Sequence, residues 1–222
     1  MTVLHLADEG ETADFAAFLS RLLHYDRGAA VRLQAAGTAL AVFGRPPSFE
    51  VLAIRAVRLA KPYENGLDVT LDVTVSAGEL LETLDELAAT AGVPAAVTGP
   101  PWAGVLPPRG GWTPESGLPG PQALRGMIAA GVAEFRSRTQ ELTPETRTRA
   151  ELDRVGREIW SRTVGDTSLP VRAVHAAQSL GFLRPGGESV LFSSGAWLRL
   201  RTPYGSIAVR RAGVGTLGVS VR

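Results

Sequence analysis

The first part of the chain changes from a helical to a strand-like spacing of hydrophobic residues. Residues 12–26 place phenylalanines and leucines at helical intervals, which predicts an amphipathic helix with Thr12 as its N-cap. Strand-like stretches follow at residues 30–35, 38–43 and 49–59. Turns that contain glycine or proline separate these stretches. The pattern therefore predicts one helix followed by consecutive short strands.

The most regular alternation lies between residues 67 and 75. Leucine and valine alternate there with aspartate and threonine, which predicts a strand with one buried face. Ser76 and Glu79 then match a capping box, and a helix is predicted to continue as far as Gly92. A helix, four strands and a second helix in this order favour an antiparallel sheet that is covered by helices.

The middle of the chain is rich in proline and glycine. Residues 94–121 contain eight of the 15 prolines and six glycines, so we expect an irregular segment there. Helical spacing then resumes around residues 124–142, from Thr143 and Pro144 to about residue 163, and over residues 169–180. Strands are predicted at residues 188–193, 196–202, 206–211 and 216–221.

These elements predict an α+β protein with a helix-flanked antiparallel sheet, a Pro/Gly-rich connector, and helices with a C-terminal β-hairpin or sheet. We expect one unit at residues 1–98, the connector at residues 99–121, and a helical unit with terminal strands at residues 122–222. The C-terminal strands have a second option, which is to complete the first sheet and make the chain a single domain.

Composition excludes several kinds of chemistry. The chain has no cysteine and three histidines, so disulfides, thiol nucleophiles and cysteine-ligated metals are ruled out, and we expect no metal or cofactor. Lys61 is the one lysine among 23 basic residues, which indicates a high-GC bacterial genome. We find no signal-like start and no apolar run of about 18 residues, so we expect a cytoplasmic protein without a membrane partner.

Charge is unevenly distributed along the chain. Residues 1–98 contain 7 basic and 13 acidic residues, whereas residues 99–222 contain 16 basic and 9 acidic residues. This asymmetry indicates either an anionic partner or attraction between the two halves, and we favour the second explanation. Residues 213–218 match G-x-G-x-x-G, but the context of a nucleotide site is missing because the pattern is not followed by a helix.

Two groups of residues are candidates for binding. Trp102, Arg109 and Trp112 in the connector are predicted to form an aromatic wall with a cationic arm, although tryptophans in such a segment also serve to pin it onto a core. The second group is a basic face of the C-terminal hairpin together with the helix before it. Its members are Arg172, Trp197, Arg199, Arg201 and Arg210. A basic face that carries an aromatic side chain suits a nucleic acid, and the order of elements resembles a winged helix-turn-helix.

Three classes of function remain open. The first is a non-catalytic binding or interaction protein that has a protein partner or forms a homo-oligomer, and the absence of catalytic motifs favours it. The second is a nucleic-acid-binding regulator that uses the C-terminal arginines. The third is a small hydrolase or transferase whose site is assembled only by the fold, around His175 or His24.

Overall fold

The structure is a computed structural model that describes residues 2–60 and 71–211. It contains helices and antiparallel sheets, so the predicted α+β class is confirmed. The helices are α1 (Glu9–Tyr25), α2 (Ala77–Glu82), α3 (Pro121–Gln140), α4 (Arg149–Trp160) and α5 (Val171–Ser179). The strands are β1 (Val3–His5), β2 (Ala30–Ala36), β3 (Ala39–Gly44), β4 (Leu52–Arg58), β5 (Asp72–Ser76), β6 (Leu84–Asp85), β7 (Thr90–Gly92), β8 (Thr113–Glu115), β9 (Val190–Ser194), β10 (Trp197–Thr202) and β11 (Gly205–Arg210). Short 3₁₀ helices cover Pro47–Phe49 and Pro101–Gly104.

The larger of the two sheets joins strands from both halves of the chain. Its order is β5-β2-β3-β4-β11-β10-β9-β8, and the smaller sheet has the order β1-β7-β6. β4 pairs with β11, so that Ile54 lies opposite Ser206 and Ala53 lies opposite Ile207. The C-terminal strands therefore extend the sheet that begins in the first half. The division into units at residues 1–98 and 122–222 stays a prediction about independent folding.

One face of the large sheet, called the inner face here, carries the main hydrophobic core. Its valines, leucines and isoleucines pack against α1 and α5, whose apolar residues are almost fully buried. Phe18 of α1 stacks on Phe182 with 5.7 Å between the ring centroids. α1 lies so close to β3 that a Cβ atom at Gly44 would fall 2.5 Å from Cδ1 of Leu22. Removal of this apolar surface from water is the main stabilising contribution to the fold.

A network of charged side chains is buried between α1 and β4. Arg55 is only 7% exposed, and its guanidinium donates hydrogen bonds to the Glu11 carboxylate and to the Tyr204 carbonyl, each at 2.9 Å. Asp14 contacts Arg55 at 3.5 Å and Arg184 at 2.7 Å. Because Tyr204 and Arg184 belong to the second half of the chain, the network links both halves across the inner face.

The predicted N-cap of the first helix is wrong by four residues. α1 begins at Glu9, and the Asp8 carboxylate caps it by accepting a hydrogen bond from the Glu11 N–H at 2.7 Å. Thr12 is buried, and its hydroxyl donates to the Asp8 carbonyl at 3.0 Å. Aspartate and threonine are both good caps, so the local sequence does not separate them. Burial of Thr12 in the core decides the boundary.

The prediction that the second helix ends at Gly92 is also wrong, because this helix stops ten residues earlier, at Glu82. Ser76 caps α2 as expected and accepts a hydrogen bond from the Glu79 N–H at 3.4 Å. The helix ends at Glu82, and the next hydroxyl, that of Thr83, donates to the Gly92 carbonyl at 2.7 Å. The residues beyond form β6 and β7, and β7 pairs with β1. Pairing with a strand far away in the sequence overrides the local helical spacing.

The predicted start of the fourth helix at Thr143 is wrong as well. Its carbonyl accepts a hydrogen bond from the Arg147 N–H at 2.9 Å, which closes a turn that does not continue as a helix. α4 begins at Arg149, where the Thr148 hydroxyl accepts a hydrogen bond from the Glu151 N–H at 3.3 Å. Both threonines precede helix-forming residues, so the sequence offers two caps and the chain uses the later one.

Some predicted features lie outside the described residues. They are residues 67–70 of the alternating strand, the glycine pattern at 213–218 and the strand at 216–221.

The buried carboxylate of Glu11 gives a test of the charged network. Glu11→Ala leaves the buried guanidinium of Arg55 with Asp14 as its nearest carboxylate, at 3.5 Å. We expect a loss of about 3 kcal/mol in the free energy of unfolding, because the removal of one partner from a buried ion pair is strongly destabilising. Urea denaturation measures it, and Glu9→Ala in the exposed part of the same helical turn is the matched control. Equal stability of the two variants would contradict the structural role of the network.

Candidate binding site

The outer face of the large sheet is crossed by the connector. Before the connector begins, the Val97 N–H donates to the Thr74 carbonyl of β5 at 2.9 Å. Gly99 passes so close to β5 that a Cβ atom there would lie 3.3 Å from Oγ1 of Thr74. At the other end the connector forms β8, which pairs with β9. Since β5 and β8 are the two edge strands, the connector spans the whole width of the sheet.

An apolar patch on the outer face lies beneath the connector. Four side chains from β3, β4 and β11 are buried in it, namely Phe43, Leu52, Ile54 and Ala208. Trp102 and Leu106 of the connector pack against this patch. Trp102 therefore contributes to holding the connector on the sheet, because large aromatic rings bury much apolar surface.

Arg32 fastens the connector from the side of β2. Its guanidinium donates hydrogen bonds to the two Asp72 carboxylate oxygens, at 2.8 and 2.9 Å, and to the Ala103 carbonyl. Gln34 also donates to Asp72, at 3.1 Å. The hydrogen bonds from Arg32, followed by that from Gln34 and by the nearby charges of Arg32 and Arg109, hold the pKa of Asp72 below its usual value. Asp72 is therefore an ionised carboxylate that its neighbours already occupy.

Next to this anchor the connector and the sheet enclose a small cleft, called the arginine cleft here. Its volume is about 220 Å³. Arg109 of the connector and Arg199 of β10 provide its charged groups, and Gln34 provides an amide. The remaining lining is apolar and consists of Ala41, Phe43, Ile54, Leu106, Pro107 and Pro108. The cleft therefore combines two guanidinium groups with hydrophobic walls.

Arg199 is the unusual member of this cleft. Its Nε atom is buried without a hydrogen-bond partner, and no ion pair joins its side chain to any residue in the described ranges. Its guanidinium lies 5.8 Å from the centroid of the Trp112 ring. Burial, and then repulsion from Arg201, lower the pKa of Arg199 from its usual value. An arginine remains charged in spite of this, so Arg199 is a partly buried cation without a counter-ion among the described residues.

A second depression on the outer face, called the tryptophan cleft, has a volume of about 330 Å³. Trp102 and Trp197 line it together with Arg45 and Arg210. The Arg210 guanidinium lies over the Trp197 ring at 5.3 Å from its centroid. Two half-buried indole rings and two exposed arginines thus lie close together on this side of the connector.

The structure brings most of the two predicted groups of site residues together. The connector residues Trp102, Arg109 and Trp112 lie on the same face of the sheet as Trp197, Arg199, Arg201 and Arg210. Arg172 is separate from them, because it lies on α5, which packs on the inner face. In a winged helix-turn-helix, α5 would be the helix that reads DNA. Five of its nine residues are buried in the core.

The sheet residues of the arginine cleft were not predicted from the sequence; they are Gln34, Ala41, Phe43 and Ile54. A signal for them existed in the strands β3 and β4. Their nearly continuous apolar runs are typical of strands that are buried on both faces. Such runs indicate that something covers the outer face, but they do not identify the connector as the cover.

The predicted histidine candidates lie away from both clefts. His24 is exposed at the end of α1 and contacts the Tyr25 ring edge-on, with centroids 5.3 Å apart. His175 on α5 lies against Trp160 at 4.5 Å and against Phe49 at 5.1 Å between ring centroids. Burial lowers the pKa of His175 below its usual value. His175 is therefore a neutral aromatic partner in a group of rings that contact it edge-on or at a tilt.

Two other kinds of feature are absent from residues 2–60 and 71–211. No group of three or more histidines or carboxylates there is arranged to hold a metal ion. No helix in the same ranges combines the length and hydrophobicity that a membrane crossing requires.

Two family matches divide the chain within the connector. Residues 1–104 are similar to the family described as "Domain of unknown function (DUF8010)", and residues 107–214 are similar to the family described as "Domain of unknown function (DUF8185)". No curated protein matches the sequence. The arginine cleft takes Gln34 and Phe43 from the first matched region and Arg109 and Arg199 from the second. Both regions are therefore needed to form it.

The environment of His175 predicts how stability depends on pH. Because the folded state lowers the pKa of His175 from about 6.5, protonation favours the unfolded state. The contribution of the neutral ring is complete above pH of about 6.5 and is lost as the pH falls below that value. In His175→Phe we expect a smaller loss of unfolding free energy between about pH 7.5 and pH 5 than in the natural protein. Urea denaturation across this range measures the loss, with His24→Phe as control, and parallel pH profiles of the natural protein and His175→Phe would refute this assignment.

Proposed function

We propose that this is a non-catalytic binding protein that takes a small anion with an apolar body into the arginine cleft. The observation that carries the proposal is the partly buried guanidinium of Arg199, which has neither a partner for its Nε nor an ion pair among the described residues. A buried charge without a counter-ion is costly, and a carboxylate or phosphate in the cleft would supply the missing acceptor. The carboxylate of Asp72, which interacts with the charge of Arg109, is occupied by Arg32 and Gln34.

The other residues of the cleft support a binding role rather than a catalytic one. Arg109 is exposed and makes no ion pair within the described ranges, so it is available to a ligand from the connector side. The apolar walls suit a short hydrocarbon body, and the volume of about 220 Å³ limits its size. The lining contains no histidine, carboxylate or hydroxyl group that would act as a base or nucleophile.

Hexanoate is a suitable probe because it joins a carboxylate to a short apolar chain. We expect isothermal titration calorimetry to detect its binding, and Arg199→Met to weaken that binding about tenfold or more, since a charge-assisted hydrogen bond is lost. The same substitution is expected to raise the free energy of unfolding by about 1 kcal/mol, because it removes an unpaired buried polar group. A gain in stability that accompanies a loss of binding distinguishes a ligand site from a structural arginine.

Arg201→Met is the matched control, because this residue carries the same charge on the same strand but is exposed outside the cleft. We expect its effect on the hexanoate affinity to stay within about threefold, as for a surface charge. Equal weakening by both variants, or no binding of hexanoate at millimolar concentration, would contradict the proposed site.

A second candidate function is binding of a single-stranded nucleic acid across the outer face. The observation in its favour is the tryptophan cleft, where Trp102 and Trp197 are half-buried and Arg45 and Arg210 are exposed beside them. Arg201 adds an exposed positive charge to the same face. Stacking platforms beside cationic side chains are the usual means of binding single strands without sequence preference.

Fluorescence anisotropy with a labelled single-stranded oligonucleotide tests this candidate. We expect the double variant Arg199→Ala/Arg201→Ala to bind more weakly and to show a smaller dependence of affinity on salt, because fewer counterions are released. Arg136→Ala/Arg149→Ala removes two arginines from α3 and α4 and serves as the control. An unchanged salt dependence in the outer-face variant would rule the nucleic-acid function out.

A further inference from the structure

A third cleft formed by described residues lies among the helices. This helical cleft has a volume of about 810 Å³. α4 and α5 form two of its walls, and the 3₁₀ turn Pro47–Phe49 forms a third. It therefore also takes residues from both regions that match a family. None of its lining residues belongs to the arginine cleft.

Aromatic side chains form one side of the helical cleft. The ring centroids of Trp160 and His175 lie 4.5 Å apart, and the Phe49 ring contacts His175 edge-on with 5.1 Å between centroids. Phe135 of α3 completes this wall. The indole ring is held from behind by α3, because a Cβ atom at Gly131 would lie 2.9 Å from its Cζ3 atom. The wall is therefore a fixed set of ring surfaces, which favours a planar ligand.

Hydrogen-bond donors without partners line the same cleft. The Nε atom of Arg172 is buried and has no hydrogen-bond partner in the part of the chain that the structure describes. No ion pair within the described ranges engages the side chains of Arg172 and Arg157, and the indole N–H of Trp160 makes no hydrogen bond there. These groups donate and cannot accept, so together they select a ligand rich in acceptors.

The charged side chains of the cleft also favour a ligand with an anionic group. Asp153 is paired with Arg149, with 3.0 Å between the nearest nitrogen and oxygen atoms. Glu50 is the other carboxylate in the lining, which also contains Arg157 and Arg172, two arginines without an ion pair among the described residues. An excess of positive charge therefore remains for a ligand.

We propose that the helical cleft is a binding site for a planar aromatic ring that carries an anionic group. The ring stacks on the wall formed by Trp160 and His175, and the anion accepts hydrogen bonds from Arg172 and Arg157. Phosphate and carboxylate share the chemistry that these donors recognise. The site is independent of the proposed function, because it uses other residues on another layer of the fold.

Naphthyl phosphate is the probe that unites both features of this ligand class. Naphthol has the ring without the charge, and inorganic phosphate has the charge without the ring. We expect titration calorimetry of the full chain to show that naphthyl phosphate binds about tenfold or more tightly than either of them, since each part adds its own contacts. Affinity for naphthyl phosphate that is no greater than that for inorganic phosphate would overturn the proposal.

Two variants assign the binding to the cleft. Arg172→Met keeps the apolar stem and removes the donors, and we expect it to weaken naphthyl phosphate binding about tenfold or more. Gly156→Leu adds no charge and fills the cleft. A Cβ atom there would meet Cε2 of Phe135 at 3.6 Å, which is an ordinary contact, so the helix is expected to accept the side chain. Binding is expected to be lost in this variant, and thermal unfolding confirms that it is folded.

Arg199→Met on the outer face is the control that separates this site from the arginine cleft. It is expected to leave naphthyl phosphate binding unchanged, whereas Arg172→Met is expected to leave hexanoate binding unchanged. Full binding by a folded Gly156→Leu variant would overturn the proposal. Equal weakening of naphthyl phosphate binding by the Arg172 and Arg199 variants would overturn it as well, because it would show a general effect of positive charge.

Discussion

The pairing of β4 with β11 is the constraint on which the rest of the structure depends. These strands come from opposite halves of the chain, and their backbone hydrogen bonds convert two groups of strands into one eight-stranded sheet. The buried guanidinium of Arg55 reinforces the same junction, since it reaches both Glu11 and the Tyr204 carbonyl. Once the junction exists, the connector crosses the outer face on its way to α3. The arginine cleft and the helical cleft then acquire walls from both halves of the chain.

The arginine cleft and the helical cleft share a physical feature, which is an arginine without an ion pair among the described residues. Arg55 is more deeply buried and also keeps an Nε without a partner, but its terminal nitrogens are bound by carboxylates and by a carbonyl. Arg172 and Arg199 each keep a buried Nε without a partner as well, and no ion pair joins either of them to another described residue. A structure selected for stability alone would remove such a group, since well-packed apolar residues of similar volume are no worse. Stability that is given up at particular positions is a common property of binding sites.

Secondary structure was largely predictable wherever local chemistry and tertiary pairing agree. The strands β2 and β3, the helix α3 and the end of α5 at Gly181 follow from periodicity and from glycine at a positive φ of 75°. The predictions failed where a distant partner decided the outcome. α2 stops early because β7 pairs with β1, and α1 starts early because Thr12 is drawn into the core. Local propensity is weak compared with such tertiary contacts.

The sequence by itself determined the α+β class, the position of the connector and the residue types of a candidate site. The sequence identified candidate binding residues, but it placed them in two separate groups, with Trp102 and Arg109 in one and Trp197 and Arg199 in the other. Only the tertiary structure decided that one face of one sheet carries them all, and that Arg172 belongs to another cleft. The physical reason is that alternation within a strand reports which residues share a face, whereas the cover of that face depends on contacts between residues far apart in the chain.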